Sequence, residues 1–337
     1  MGYVAGRLFG MEGRVTRRGV VLWILVVLCL PSWALAQEDA EQSVPKFRSS
    51  VDVVSVTAVV RDRKGRFVKH LRPDDFTVLE AGQSKRILDF RAETDGPVKL
   101  ALVVDISGSM RLGRKAVDAK QAAKQIFSAL RPGDEAALFT FDTGLDKVSD
   151  FTPDVAALET ALDRVQPPYG QTSIYDAVAV TARAVAGSRG TAPVPQRRAV
   201  VVLTDGVDTR SRLTSEQVAA IAGSIDVPVY VMALLVTVDD PRQVPEGVQP
   251  AVDESGLGNL SRGTGGDLFL TTAPAHASVA ARQIVDELRH QYVLAFEAST
   301  RAGWRPVEVR ARNRAHVVRA RAGYSAGGRS GEGAQRF

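Results

Sequence analysis

Val98-Lys99-Leu100-Ala101-Leu102-Val103-Val104-Asp105-Ile106-Ser107-Gly108-Ser109 is the stretch that decides the fold. Its first half is a nearly continuous apolar run, the pattern of a strand covered on both faces of a parallel sheet. Its second half sets a carboxylate, two hydroxyls at alternate positions and a glycine immediately after that strand. Apolar Ala116, Ala119, Ala123, Ile126, Phe127 and Leu130 follow at helical spacing and predict a helix over 116–130. In a doubly wound sheet, the loop at the carboxyl end of a strand is where ligands bind. Asp105, Ser107 and Ser109 can present three oxygens to one point there, with Gly108 letting the backbone bend. Oxygen donors suit hard cations such as Mg²⁺, Ca²⁺ or Mn²⁺.

The same alternation continues along the chain. Glu135–Phe141 and Asp146–Phe151 flank Asp142-Thr143-Gly144 and read as a hairpin. Ala199–Leu203 and Pro228–Val236 are two more buried strands, and 267–270 is a further short one. Helical patterns cover 155–165, 173–186, 215–224, 257–262 and 277–290. Strands alternating with helices predict an α/β fold, a doubly wound, mostly parallel six-stranded sheet over 98–291. Val238–Ser255 holds three prolines and six charged residues and reads as an exposed insertion.

Both flanks are strand-rich. Residues 47–95 form an N-terminal β module with strands at 51–61, 76–79 and 87–91. Residues 292–324 return to strands at 292–296, 305–312 and 316–321. The first sheet strand runs toward Asp105, so the chain enters at the far end of the sheet, and the last helix exits there too. The two flanks are therefore expected to pack as one smaller β-rich accessory domain opposite the cation, each having too few strands to bury a core alone. That arrangement leaves Arg310, Arg312, Arg319 and Arg321 in solvent. Asp134-Glu135 and Asp208 read as solvated turn acids.

The 337 residues are 45% hydrophobic and 24% charged, an ordinary globular composition. Cys29 is the only cysteine, which excludes a disulfide framework and a Cys-based zinc site. Arg14, Arg17 and Arg18, the apolar run Gly19–Leu30, Pro31 and Ala34-Leu35-Ala36 form the three parts of a secretory signal over 1–36. A linker (37–46) follows, and the Gly/Ser/Arg-rich end, 325–337, reads as a disordered tail. The expected location is therefore periplasmic or secreted, with anchoring by an uncleaved N-terminal segment as the alternative and membrane contact only in that case. Residues 301–337 carry nine Arg against two Glu. No aromatic interleaving marks them for nucleic acid.

Two more oxygen donors sit at equivalent loop positions. Asp205 ends the strand Ala199–Leu203 in Thr204-Asp205-Gly206, and Thr172 opens a helix in Gly170-Gln171-Thr172-Ser173. An N-cap role accounts for Thr172 taken alone, but not for Asp105, Ser107 and Ser109 sharing one loop. Asp105-x-Ser107-x-Ser109, then Thr172, then Asp205 before Gly206 resembles a von Willebrand factor type A domain with an intact metal-ion-dependent adhesion site. The likeness spans about 98–291, and the flanks are similar, more loosely, to bacterial exported proteins related to that family. It implies that the two Ser and the Thr are the nearer metal ligands and that the Asp residues act through water. Mg²⁺ is the first expectation, with Mn²⁺ or Ca²⁺ as alternatives.

The expected function is a binding module, not an enzyme. The cation is incompletely coordinated by the chain, and a partner protein's Asp or Glu carboxylate completes it. The alternatives are a metal-stabilised structural domain of an envelope complex and a metal-assisted hydrolase. Hydrolysis needs a general base near the metal, and no His, Glu or Lys in the three loops supplies one. Ser107-Gly108-Ser109 has no histidine spaced for a triad, and no phosphate-binding Gly-x-x-x-x-Gly-Lys loop occurs.

Overall fold

Every residue of Val98–Asp105 is buried, Lys99 included. The computed structural model describes residues 53–94, 96–111, 114–166, 170–188, 196–235 and 254–326. The expected signal segment, the linker, most of the 238–255 insertion and the tail from 327 onward lie outside them.

Four strands come first: β1 (Val53–Arg61), β2 (Phe76–Glu80), β3 (Gln83–Lys85) and β4 (Ile87–Thr94). The α/β unit then runs β5 (Val98–Asp105), α1 (Lys115–Ser128), β6 (Glu135–Phe141), β7 (Leu145–Thr152), α2 (Val155–Arg164) and α3 (Ile174–Gly187). It continues through β8 (Arg197–Thr204), α4 (Ser215–Ser224), β9 (Val229–Leu234), α5 (Glu254–Thr264), β10 (Leu268–Thr271) and α6 (Pro274–Arg289). The chain ends in β11 (His290–Glu297), β12 (Gly303–Ala311), β13 (Val317–Ala320) and β14 (Gly323–Ala326). Ser325 and Ala326, expected in the tail, belong to that last strand.

The central sheet has the order β10-β9-β8-β5-β6-β7, with every pairing parallel except the β6–β7 hairpin at one edge. The fold class is thus the mostly parallel six-stranded α/β sheet of the sequence reading. Alternation along β5 sends Leu100, Leu102 and Val104 into a core with α1, α2 and α6. Ala101 and Val103 go the other way, into a core with α3, α4 and α5. Two cores on opposite faces explain why β5 is apolar almost throughout rather than alternating.

The flanking strands form two four-stranded sheets, β13-β1-β11-β4 and β14-β12-β2-β3. Each draws strands from both sides of the α/β unit, and every pairing in them is antiparallel. They share one core, in which Val56, Ala58 and Val60 meet Phe76, Val78, Leu294, Phe296, Val307 and Val309. No helix among the described residues is long and apolar enough to cross a membrane.

The end of the central sheet where β5 begins is ionic. Lys99 and Glu135 are register neighbours on β5 and β6 and pair at 3.0 Å, 1% and 2% exposed. Asp134 accepts from the backbone NH of Val98 and of Arg131 and pairs with Arg289 at 2.5 Å. Glu287 on α6, 0% exposed, holds Arg61 of β1 at 2.6 Å and Arg319 of β13. Arg319 also pairs with Asp267, and Arg321 donates to the carbonyls of Gly223 and Ser55. These contacts correct two sequence expectations. Asp134 and Glu135 are buried rather than solvated, because each faces a cation from a distant segment. Arg319 and Arg321 are drawn inward between the accessory strands and the α/β unit, while Arg310 and Arg312 stay exposed.

Candidate metal centre

The carboxyl end of β5 carries Asp105, and the backbone turns at once. Ile106 N donates to Phe141 O on β6 at 2.9 Å, and a single 3₁₀ turn spans Gly108–Arg111. One Asp105 oxygen accepts from Ser107 N at 2.8 Å and the other from the Thr204 hydroxyl at 2.6 Å. The second bond stitches β5 to β8. The hydroxyls of Ser107 and Ser109 lie 3.2 Å apart. Asp105 and Ser107 are 2% and 1% exposed, and Ser109 is half-buried.

The loop before α3 brings Thr172 to the same end of the sheet. Gly108 N donates to Gly170 O at 3.1 Å, which joins the first loop to the second. Thr172 N donates to the Thr209 hydroxyl at 3.0 Å, and Thr172 O accepts from Thr209 N and Arg210 N at 2.9 and 3.0 Å. The second loop is thereby joined to the third. A Cβ on Gly170 would meet Asp142 Oδ2 at 2.3 Å, so a larger residue there would have to push the Asp142 side chain aside. The third loop follows β8, where Gly206 at φ +94° takes a left-handed turn beside Asp205.

Asp205 is 6% exposed. Its Oδ2 pairs with Lys115 Nζ at 2.7 Å. Its Oδ1 is buried and has no hydrogen-bond partner among the described residues. Burial pushes the Asp105 carboxyl up to about 6; hydrogen bonds from Ser107 and Thr204 oppose that rise, and the charge of Asp205 adds to it. All five sequence-predicted residues thus lie on three mutually bonded loops at the carboxyl end of the central strands. Ser107 and Ser109 touch directly, whereas Asp105 reaches Thr204 rather than Asp205. An all-oxygen set of two carboxylates and three hydroxyls, with one buried acceptor unsatisfied, fits a hard divalent cation.

Three contributors escaped the sequence reading: Lys115, Thr204 and Thr209. Lys115 carried a signal, since a cation at a helix N-terminus opposes the helix dipole and calls for a nearby anion. Asp208 is not a solvated loop acid. It accepts from Ile174 N and from the Ser211 hydroxyl, both at 2.7 Å, and so caps α3 from the third loop. Beside Thr172 opens a cleft of about 570 Å³, lined by Thr143, Ser173, Asp176, Thr209, Ser211 and the two exposed arginines Arg210 and Arg212.

Residues 100–207 match the von Willebrand factor type A domain family. The type A match therefore takes in most of β5, the first two loops, the start of the third and all five site residues. Among solved structures, the chain is similar to the conserved hypothetical protein BatB from Bacteroides thetaiotaomicron at 19% identity, covering 57% of this chain and 98% of that one, with a TM-score of 0.46. A von Willebrand factor type A protein from Catenulispora acidiphila is similar at 13% identity over 81% of this chain and 74% of its own, again with a TM-score of 0.46. Proximal thread matrix protein 1 from the mussel byssus, solved with a zinc-occupied MIDAS motif, is similar at 20% identity over 62% of this chain and 50% of its own, TM-score 0.46. No curated protein matches the chain.

Proposed function

We propose that this chain is an exported, metal-dependent protein-binding module. Asp105, Ser107, Ser109, Thr172 and Asp205 hold a divalent cation, Mg²⁺ first, and an Asp or Glu of a partner protein completes its coordination. The observation that carries this reading is the buried Asp205 Oδ1, without a partner among the described residues, at the end of the sheet where three loops converge. An unsatisfied buried acceptor costs about 1–3 kcal/mol, a penalty that a cation or its bound water removes. The cation would supply a Lewis-acidic site for a carboxylate. Mg²⁺ keeps exchangeable waters, which suits reversible capture.

The chain's own residues do the rest. Thr204 and Ser107 N fix Asp105, Lys115 fixes Asp205, and the inter-loop bonds fix Thr172. Arg210 and Arg212 beside the centre favour an acidic partner surface.

A purely structural cation is less well supported, because the loops are already tied by direct hydrogen bonds. Hydrolysis is less well supported too. The nearby acids are engaged: Asp176 with Arg212 N and Leu213 N, Asp208 with Ile174 N, and Asp142 with Gly144 N. Each of the three accepts at least one backbone hydrogen bond that fixes its place.

The test is calorimetric titration of Mg²⁺ and Mn²⁺ into the wild type and Thr172→Ala, paired with crosslinked partner capture in Mg²⁺ and in chelator. Cation binding should drop at least tenfold in the variant, and capture should disappear with either perturbation. Equal capture in chelator would overturn the metal-bridged reading.

A further inference from the structure

We infer that Lys115 is a built-in counter-charge that keeps the centre's grip on a divalent cation weak until an anion arrives. Lys115 is the first residue of α1, which has no side-chain N-cap and is preceded by Arg114. Two basic residues at a helix N-terminus oppose the dipole. Lys115 is nevertheless turned into the centre, 13% exposed, with its ammonium 2.7 Å from Asp205 Oδ2. The other oxygen of the same carboxylate is buried and has no partner among the described residues. Asp205 is therefore divided: one oxygen is committed to a fixed internal cation and one is left for a mobile one.

The charge count follows from that division. Among the five donor residues, Asp105 and Asp205 bring two negative charges, and Lys115 cancels one. A divalent ion then leaves a net positive centre, where without Lys115 it would leave a neutral one. Surplus charge in a poorly exposed site is costly, and a carboxylate from outside removes it. Lys115 thus couples cation retention to anion binding, so that the loaded state persists when both are present. This inference rests on the metal reading above and concerns how that centre is regulated.

A unit charge sharing a carboxylate with a divalent ion at a partly buried site is worth about tenfold in affinity, ~1.4 kcal/mol. The experiment titrates Mn²⁺ calorimetrically into the wild-type chain, Lys115→Met and Lys115→Gln, in chloride and in acetate at matched ionic strength. Both variants should bind Mn²⁺ about tenfold more tightly in chloride. Acetate should raise the wild type's affinity severalfold and the variants' less than twofold. Binding by a neutral variant alone would also support the inference. If the wild type binds Mn²⁺ and the neutral variants bind equally or more weakly, Lys115 merely positions Asp205 and the inference falls while the metal centre stands. If neither wild type nor variants bind, the metal reading itself fails and takes this one with it. The two substitutions differ in polarity, so loss of fold in one leaves the other to decide.

Discussion

Asp105→Asn should stabilise the metal-free protein at neutral pH. Asp105 is a carboxylate that folding removes from water, and the unfolded chain does not share that penalty. Its pKa rises from an ordinary 3.8 to about 6, chiefly through burial. By linkage, the folded state binds the proton more tightly than the unfolded one between those values. Stability contributed by this group is therefore fully present at low pH and is lost as pH climbs from 3.8 to about 6, by about 3 kcal/mol in all. Asparagine carries no charge, so it escapes the loss. Its carbonyl can still accept from Ser107 N, but its amide would face Thr204, whose hydroxyl loses its acceptor. That costs about 1 kcal/mol. The net gain at pH 7 in chelator is about 2 kcal/mol, a rise in Tm of roughly 4–8 °C. At pH 4 the wild type is largely protonated, and the gain should vanish or turn into a small loss. Saturating Mg²⁺ reverses the order at pH 7, since a ligand at a hundredfold its Kd adds about 2.7 kcal/mol to the only form that binds it. Differential scanning calorimetry at both pH values, with chelator and with Mg²⁺, reads all of this. A variant less stable than wild type at pH 7 in chelator, or a gain of the same size at pH 4, would refute the reasoning.

Glu287→Gln should destabilise the chain by about 3 kcal/mol in urea denaturation, because it leaves Arg61 and Arg319 without the buried charge they share; a loss below about 0.5 kcal/mol would mean the cluster is hydrated in solution. Deleting 37–95 removes β1–β4, both neighbours of β11 and one of the two neighbours of β12, so limited proteolysis should cut within 292–321 much faster than in the full chain; unchanged protection there would show that the C-terminal strands hold together alone.

The α/β unit was legible because its signals are local. An apolar run that is nearly uninterrupted has few places to go except between two helical layers, and the helices announced themselves by period. The hydroxyls of Ser107 and Ser109 and the acid Asp105 were legible for the same reason, lying in one loop at a strand's end. β3 and β14 were not, being three and four residues long with little periodicity to detect. Nor did the pattern show that the flanks divide into two sheets over one core. That depends on β1 pairing with β11 and β2 with β12, contacts more than two hundred residues apart in sequence.

The charges mark the sharper boundary. A sequence states that a residue is ionic but not which residue answers it, and the answer decides whether it is solvated or buried. Lys99 stands inside the apolar run because Glu135 is its register neighbour, and Asp134 goes under because Arg289 arrives from the end of α6. Read alone, each of these four is a surface residue. The same logic separates the two ends of the sheet. At the end where β5 begins, the buried acids Asp134, Glu135 and Glu287 are each matched by a cation, which leaves them nothing to bind. At the other end, two buried acids, Asp105 and Asp205, meet one lysine, and a buried oxygen has no partner among the described residues. Burial of charge is common to both ends. The incomplete pairing at Asp205 is what makes one of them a candidate site and the other a structural joint.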